Sequence, residues 1–235
     1  MDRQRCFAAW LALVIGLVAM LGVASPATAD EKADAENLVE RARMTFESFS
    51  ADKELGPNMV SLSRRAKGIL IFPQVLRGAF IFGASGGSGV FLAYDEVNKR
   101  WNGPAFYTLG QVSFGLQAGA DASEVVLMAM TDRGVSALLA TSAKLGADVG
   151  VALGPVGAGA AAATANFSGD ILIFSRAAGL YGGISVDGAV VATRDSLNHF
   201  YYGKPITTQE ILLQHTATNP QADGLIQAVK KTAER

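Results

Sequence analysis

The sequence of 235 residues contains one cysteine and two histidines, and its charges nearly cancel. A single cysteine excludes an internal disulfide framework and a thiolate metal site. With so few histidines and cysteines, the side chains that most often carry nucleophilic or metal chemistry are scarce. The 20 basic and 21 acidic residues also lack the positive excess that is typical of a nucleic-acid binder. These shortages predict a protein that is not an enzyme, needs no cofactor or metal and does not bind nucleic acid.

Apolar residues and glycine, by contrast, are abundant. Hydrophobic residues make up 50% of the chain, which excludes intrinsic disorder, and the length suits one domain with an added helix. Most of the 26 glycines lie between Gly68 and Gly188, among short apolar runs that are typical of buried strands. Helical spacing occurs on either side of this part. We therefore predict an α+β fold with a glycine-rich, mainly antiparallel β core, sandwich- or barrel-like, flanked by N- and C-terminal helices.

The first 29 residues have the three parts of a secretory signal peptide. Arg3 and Arg5 give a charged start, an apolar run follows over residues 7–24, and Ala27-Thr28-Ala29 supplies a cleavage site. The alternative is an uncleaved anchor, because the apolar run just reaches the length of a bilayer-spanning helix. The small residues and the polar stretch from Asp30 favour cleavage after Ala29. We predict a periplasmic or secreted protein with a leader of bacterial type.

Four segments follow from the sequence pattern: the signal peptide in 1–29, an N-terminal amphipathic helix in 30–57, a domain in 58–215 and a C-terminal helix in 216–235. In the N-terminal helix, Leu38, Ala42, Phe46 and Phe49 form one apolar stripe. Its polar face is net acidic, whereas a helix that lies on anionic lipid usually has a face rich in Lys and Arg. Docking on the domain is therefore favoured over lipid contact, although the sequence leaves both open.

Three local patterns lead to specific expectations. Asn58 follows Gly56-Pro57 and is expected to be the N-cap of a short helix over 58–66. Residues 83–89 contain four glycines and are expected to connect two strands; they lack the Gly-Lys-Ser/Thr ending of a phosphate-binding P-loop. Residues 132–145 are expected to form a helix capped by Thr131 or Asp132.

Six basic residues are concentrated in one part of the sequence and are opposed there only by Asp95 and Glu96. They are Arg64, Arg65, Lys67, Arg77, Lys99 and Arg100. If the strands in this part are neighbours, several of these bases share one rim next to glycine-exposed backbone amides, which suits phosphate head groups. The alternative is ordinary scattered surface charge.

Short blocks of glycine, aromatic and charged residues follow one another between Arg65 and Leu213. They include Ala66-Lys67-Gly68-Ile69, Arg77-Gly78-Ala79-Phe80, Trp101-Asn102-Gly103-Pro104, Gly154-Pro155-Val156-Gly157, Ile173-Phe174-Ser175-Arg176, Gly179-Leu180-Tyr181-Gly182-Gly183, Ser185-Val186-Asp187-Gly188 and Tyr201-Tyr202-Gly203. Each block is weak alone, but their order and spacing are specific. In both respects the sequence resembles the SYLF domain, a lipid-binding module named also for actin-patch proteins of yeast.

The resemblance implies phospholipid binding, of phosphoinositides in eukaryotic members, and no catalysis. Lys67 and Arg77 stand where that family tends to carry basic residues, so they are the first candidates for head-group contact. Some eukaryotic members also bind actin, but a chain with a bacterial-type signal peptide and without an SH3 or zinc-finger domain is not expected to do so. We predict an envelope protein that uses the six bases to bind an anionic phospholipid membrane surface; the alternative is a structural or scaffolding envelope protein that binds a protein partner.

Overall fold

The computed structural model describes residues 28–79, 82–114, 119–156, 169–177, 180–181, 186 and 188–235. The predicted signal peptide lies outside these residues except for its last two positions. The SYLF-like blocks around residues 80, 157 and 182–187 also fall partly outside them. In the part of the chain that is described, no helix combines the length and the apolar character needed to cross a bilayer.

One mostly antiparallel sheet forms the centre of the protein. Its nine strands within the described residues are β1 (Gly68–Ala79), β2 (Phe82–Asp95), β3 (Arg100–Phe114), β4 (Gly119–Ala129), β5 (Ser142–Lys144), β6 (Val151–Leu153), β7 (Ile171–Ala177), β8 (Leu180–Tyr181) and β9 (Val190–Thr193). The spatial order is β5-β9-β3-β2-β1-β4-β7-β6, and β8 pairs with β7. The pairing of β6 with β7 is parallel, and the other pairings between these strands are antiparallel.

Helices lie at both ends of the chain and pack against this sheet. The first two, α1 (Thr28–Ala51) and α2 (Gly56–Ser63), precede it, and α3 (Asp132–Leu139) follows β4. After β9 come α4 (Asp195–Tyr202), α5 (Thr208–Leu212) and α6 (Asp223–Ala233). The predicted α+β class, with a mainly antiparallel sheet and helices at both ends, is confirmed.

Both faces of the sheet are buried where its strands are most apolar. Successive side chains of a strand point to opposite faces, so the run from Ile69 to Phe72 contributes to two cores. Ile69 and Ile71 pack in one core with Phe46 and Phe49 of α1. Leu70 and Phe72 belong to the other core, which includes Leu212 of α5. This double burial explains why the strand sequences are continuous apolar runs without alternation.

The N-terminal helix docks on its own domain. Its predicted apolar stripe is buried, with Ala42, Phe46 and Phe49 fully inaccessible to solvent. A charged clamp holds the same helix: Arg176 Nε of β7 donates to Glu124 Oε2 at 3.0 Å, and Arg176 Nη2 donates to Ser48 Oγ at 2.9 Å. The Arg176 guanidinium also lies 4.8 Å from the centre of the Phe49 ring. In this state the apolar face of α1 is occupied by the protein core.

Residues 83–89 belong to β2, so the prediction that they connect two strands is wrong. At Gly87 and Gly89, glycine is required by a close approach between strands, not by a turn. A Cβ on Gly89 would lie 2.6 Å from both Ile71 O and Phe72 Cδ1 of β1. Next to this contact, the register of β1 against β2 shifts between Ile71 and Gln74. Glycine inside a strand often marks such a close backbone approach.

The prediction of Asn58 as an N-cap is also wrong. Leu55 occupies the N-cap position of α2, and Asn58 lies inside the helix. Asn58 is buried, and its Nδ2 donates to Pro155 O at 3.2 Å. The Asn58 side chain therefore bonds to Pro155, which is distant in the sequence, and does not cap the helix as the local pattern predicted.

The third helix begins as predicted but is shorter. Thr131 Oγ1 caps it by accepting a hydrogen bond from Gly134 N at 3.0 Å, and the helix ends at Leu139. Residues 142–144, which were expected to be helical, form β5 and pair with β9. Within β5 only Ala143 is buried between two exposed neighbours, which is the alternation of a strand.

Candidate anion-binding site

The first two predicted bases lie where α2 ends. Arg64 is the C-cap residue of this helix, and its backbone N–H donates to Leu62 O. Arg64 and the following Arg65 are exposed. A cation at a helix C-terminus also suits the negative end of the helix dipole.

Two further bases lie on the turn between β2 and β3. Asp95 closes this turn by accepting hydrogen bonds from Asn98 Nδ2 at 2.7 Å and from the backbone N–H groups of Val97 and Asn98, both at 3.0 Å. The Asn98 side chain is the main reason that the pKa of the Asp95 carboxyl lies below its usual value. Lys99 follows with a φ of 54°, and Arg100 begins β3 opposite Asp95. Arg100 Nε lies 3.8 Å from Asp95 Oδ2, so one carboxylate orders the turn that presents both bases.

These two groups of bases meet at one pocket. The pocket has a volume of about 280 Å³ and is bounded by the end of α2, the start of β3 and α6. Its cations are Arg64, Lys99, Arg100 and Lys230, and Glu234 is the carboxylate in its lining. Lys230 Nζ lies 3.9 Å from Glu234 Oε1. The pocket is therefore positively charged overall.

The inner wall of this pocket is apolar. Tyr94 of β2 and Trp101 of β3 are cross-strand partners, and their ring centres lie 5.3 Å apart. Both residues line the pocket together with Ile226 of α6. Trp101 is only 6% exposed, so the wall is fixed by the core. The site thus combines flexible cationic side chains with an aromatic wall formed by Tyr94 and Trp101.

Lys67 lies outside this pocket and is already neutralised. Its Nζ donates to Asp132 Oδ1 and to Glu96 Oε1, each at 2.8 Å. The hydrogen bond to Asp132 is the largest cause, and that to Glu96 the next, of a pKa for Lys67 above its usual value. Lys67 lines a neighbouring pocket of about 430 Å³, in which Asp95, Glu96 and Asp132 outnumber it. That second pocket is not suited to an anion.

Arg77 lies near the opposite end of β1. Arg77 is ten positions along the chain from Lys67, which in an extended strand corresponds to about 30 Å. Its partners across the sheet are Ser85 of β2 and Asp121 of β4. Lys67 and Arg77 therefore do not share a rim, whereas Arg64, Lys99 and Arg100 do.

Lys230 is the one cation in the lining of this pocket that is not among the six bases predicted from the sequence. It lies on α6, in a charged Lys230-Lys231 pair near the end of the chain, far from the cluster of six bases in sequence. The sequence shows two lysines at the end of a predicted helix, but the neighbouring residues do not indicate which other element these lysines face. In the described residues, no group of three His, Cys, Asp or Glu side chains is placed to hold a metal ion.

Comparison with known proteins identifies the family. The model of the family described as "Ysc84: Las17-binding protein actin regulator" matches residues 110–232, which is more than half of the chain. The chain belongs to the Ysc84 family. This result confirms the SYLF-type resemblance seen in the sequence.

Curated relatives of the Ysc84 family come from yeast and mammals. Protein YSC84 of Saccharomyces cerevisiae is 29% identical over 189 residues, covering 79% of this chain and 39% of that protein. LAS seventeen-binding protein 3 of the same yeast is 30% identical over 189 residues, covering 79% of this chain and 40% of the relative. SH3 domain-containing YSC84-like protein 1 of Homo sapiens is 28% identical over 180 residues, covering 73% of this chain and 50% of that protein. This chain therefore spans half or less of the length of these relatives.

The Ysc84 match covers only part of the pocket. It extends from Gly110 in β3 to residue 232 in α6 and so includes Lys230, while Arg64, Lys99 and Arg100 precede it. The family description names binding and regulation, not a reaction. This agrees with the prediction that the protein belongs to a binding family.

Proposed function

We propose that this protein binds anionic phospholipid head groups, the phosphoinositide type among them, at a membrane surface of the bacterial envelope. The observation that carries the proposal is the convergence of Arg64, Lys99 and Arg100 on one pocket, where Lys230 joins them. Each base near an anionic surface contributes about 1 kcal/mol, so four bases give useful but reversible binding. Arg65 lies next to the pocket in sequence, while Lys67 and Arg77 make smaller contributions.

A vesicle assay tests this proposal. The protein is co-sedimented with vesicles of phosphatidylcholine alone, with phosphatidylglycerol added, or with a phosphatidylinositol phosphate added, at increasing salt. We expect binding to the two anionic compositions that weakens as salt rises, because exposed charges are screened beyond about 10 Å at 0.1 M salt. Equal, salt-insensitive binding to neutral vesicles would contradict the electrostatic mechanism.

The location is part of the proposal. The charged start, apolar run and Ala27-Thr28-Ala29 ending support export to the periplasm or beyond, with cleavage near Ala29. Intact mass measurement on protein from fractionated cells tests this. A mature protein that starts at Asp30 in the periplasmic or secreted fraction is the expected result, and a full-length protein in the inner membrane would indicate an uncleaved anchor.

A second candidate is a scaffold that binds a protein partner through the glycine-rich sheet. The name of LAS seventeen-binding protein 3 describes a protein–protein interaction of that relative. Exposed Leu76 of β1 and Val112 of β3 would supply apolar contacts on such a surface. Recovery of one stoichiometric partner, together with no vesicle binding, would favour this function over lipid binding.

A further inference from the structure

We propose that the protein holds one anionic lipid molecule on the α1 side of the sheet, with its head group between Arg41 and Arg194 and an acyl chain along the neighbouring strands. The inference rests on the proposed function for the class of ligand, an anionic lipid. It adds a second site, separate from the pocket between α2 and α6, that binds a single molecule. Two features support it: a pair of arginines without carboxylate partners, and an uncovered apolar surface beside this pair.

The two arginines reach neighbouring side chains on one face of the sheet. Arg41 Nη2 of α1 donates to Gln74 Oε1 of β1 at 3.0 Å, and Arg194 Nη1 donates to Ser88 Oγ of β2 at 2.8 Å. Gln74 and Ser88 are direct partners across these antiparallel strands. The Cβ atoms of such partners lie about 5 Å apart. The two guanidinium groups are therefore drawn to one place between α1 and the start of α4, where Arg194 is the N-cap residue.

This arginine pair has no counter-charge in the part of the chain that the structure describes. The ion pairs between described residues include Arg43 and Arg176 but neither Arg41 nor Arg194, although Asp195 is the next residue in the chain. Neutral side chains thus hold two like charges near each other. Guanidinium groups bind carboxylate and phosphate oxygens through paired hydrogen bonds, so one anionic head group would complete this arrangement.

An uncovered apolar surface begins at the next row of residues across the strands. We call it the open face, and the strand registers place its members on the same side of the sheet as Gln74 and Ser88. They are Leu76, Gly78, Ala84, Gly86, Gly110, Val112, Ala120, Ala122 and Val190. Leu76 is 56% and Val112 is 71% exposed, whereas Ile71, which lies in β1 beneath α1, is fully buried. The helix therefore leaves this part of the sheet open.

The glycines of the open face are not explained by packing within the described structure. A Cβ on Gly78 or Gly110 would meet no described atom within 4 Å, and one on Gly86 would meet Leu109 O at 3.5 Å, an ordinary contact distance. Glycine inside a strand weakens the strand, and it often marks a place where a ligand or another backbone approaches closely. The open face is thus suited to a ligand that lies flat against the sheet.

An anionic lipid matches this order of surfaces. From the row of Gln74 to the row of Gly78 the strand extends about 13 Å, and an acyl chain can follow the apolar part of this path. A small inorganic anion would leave the open face uncovered, and a neutral lipid would leave the arginine pair without an anion. Phosphate and carboxylate head groups both suit two guanidinium groups, so lysophospholipids and fatty acids share the required chemistry.

Calorimetry with short-chain probes below their micelle concentrations tests the site. The purified protein is titrated with lauroyl lysophosphatidic acid, with laurate, with glycerol 3-phosphate as a head group alone, and with dodecyl maltoside as a chain without charge. We expect one lysophosphatidic acid or laurate per protein, bound at least about tenfold more tightly than either partial probe, because head group and chain both contribute. Equal binding of lysophosphatidic acid and dodecyl maltoside would contradict the role of the arginine pair.

Two double variants of equal charge separate this site from the pocket. Arg41→Gln with Arg194→Gln should weaken lysophosphatidic acid binding about tenfold or more, because both charge-assisted hydrogen bonds to the head group are lost. Arg64→Gln with Lys230→Gln should weaken it less and should have the larger effect on co-sedimentation with anionic vesicles. The ranking of the two variants is thus expected to reverse between the assays. The same ranking in both assays would contradict two separate sites.

Two valine variants test the open face. Gly110→Val fills the surface at a position where a Cβ meets no described atom, so the variant should fold, which circular dichroism verifies. We expect about tenfold weaker binding of lysophosphatidic acid and laurate, because the new side chain occupies the path of the acyl chain. Ser85→Val is the matched control, since Ser85 precedes Gly86 in β2 and lies on the opposite face of the sheet. Folded Gly110→Val that binds both lipids as the parent does would refute the acyl-chain path.

The outcomes separate this inference from the proposed function. Salt-sensitive vesicle binding that needs Arg64 and Lys230, with no binding of soluble lipid, would overturn the inference and leave the proposed function standing. Lysophosphatidic acid binding that needs Arg41 and Arg194, with no binding to vesicles, would support the site and contradict the membrane function. A stoichiometric protein partner that is lost in Gly110→Val, without lipid binding, would overturn the inference and assign the open face to the second candidate function.

Discussion

Arg64, at the end of α2, and Lys230, in the last turn of α6, line the same pocket although they lie far apart in the chain. Their proximity depends on the packing of α6 beside α2, while the sheet supplies Tyr94 and Trp101 between them. Because the lining comes from both helices, the pocket requires α2 and α6 to be packed together.

Charge reversal at this pair is the most direct test of the binding surface. Arg64→Glu combined with Lys230→Glu should weaken co-sedimentation with anionic vesicles at least about tenfold, because each reversal removes an attraction of about 1 kcal/mol and adds a repulsion. The matched control is Lys32→Glu with Lys53→Glu, which changes the net charge equally at exposed positions outside the pocket lining. Equal loss in both double variants would mean that only the net charge matters.

Charge reversal at Lys67 and Arg77, the pair suggested by the family resemblance, should weaken vesicle binding less than reversal at Arg64 and Lys230. Lys67→Glu with Arg77→Glu changes the same amount of charge, but Lys67 is already balanced by Glu96 and Asp132. We expect this variant to bind anionic vesicles more strongly than the Arg64/Lys230 variant does in the same assay. The opposite ranking would place the contact surface along β1.

The clamp on α1 predicts a change in stability. Arg176→Ala should lower the free energy of unfolding by about 2–3 kcal/mol, since it leaves Glu124 partly buried without its cation. Urea unfolding measures this change, and hydrogen exchange should show loss of protection in α1. Arg133→Ala is the control, because this arginine is 71% exposed and its ion pair with Asp170 is loose at 3.8 Å. Unchanged protection of α1 in Arg176→Ala would contradict the clamp.

Alanine substitution should lower the stability of the protein at Gly89 and raise it at Gly110, both of which lie in strands. In Gly89→Ala the new methyl would lie 2.6 Å from Ile71 O, so we expect destabilisation of about 1–3 kcal/mol from overpacking. In Gly110→Ala it meets no atom within 4 Å, and we expect a gain of up to about 1 kcal/mol because the unfolded chain loses freedom. Thermal unfolding of both variants checks this, and similar changes in the two would refute the steric explanation for Gly89.

The lowered pKa of His215 predicts that the stability of the protein depends on pH. Burial, and after it the charge of Arg100, lowers the pKa of this imidazole below 6.5, while Asp95 acts in the opposite direction. Because the unfolded chain then binds more protons, this group makes the protein less stable as the pH falls below about 6.5. An NMR titration should give a midpoint below 6.5 in the parent and a higher one in Arg100→Gln. A parent midpoint at or above 6.5 would contradict the prediction.

Periodicity in the sequence was sufficient to predict the helices and strands that have one clear hydrophobic pattern. The stripe of Leu38, Phe46 and Phe49 predicted α1, and the runs around Ile69 and Val90 predicted strands, because burial of one face or of both faces leaves a direct mark on the sequence. Residues 83–89 were misinterpreted because glycine occurs both in turns and in strands that approach each other closely. Asn58 was misinterpreted because its partner, Pro155, lies far away in the chain.

The sequence by itself determined the α+β class, the family and the presence of a concentrated set of bases. It did not determine which bases act together, because long-range packing sets that. The tertiary structure paired Lys67 with two carboxylates, placed Arg77 at the far end of β1 and brought Lys230 to Arg64. Charge in a sequence is a property of single residues, whereas an anion site depends on distances between residues that only the packed helices and sheet fix.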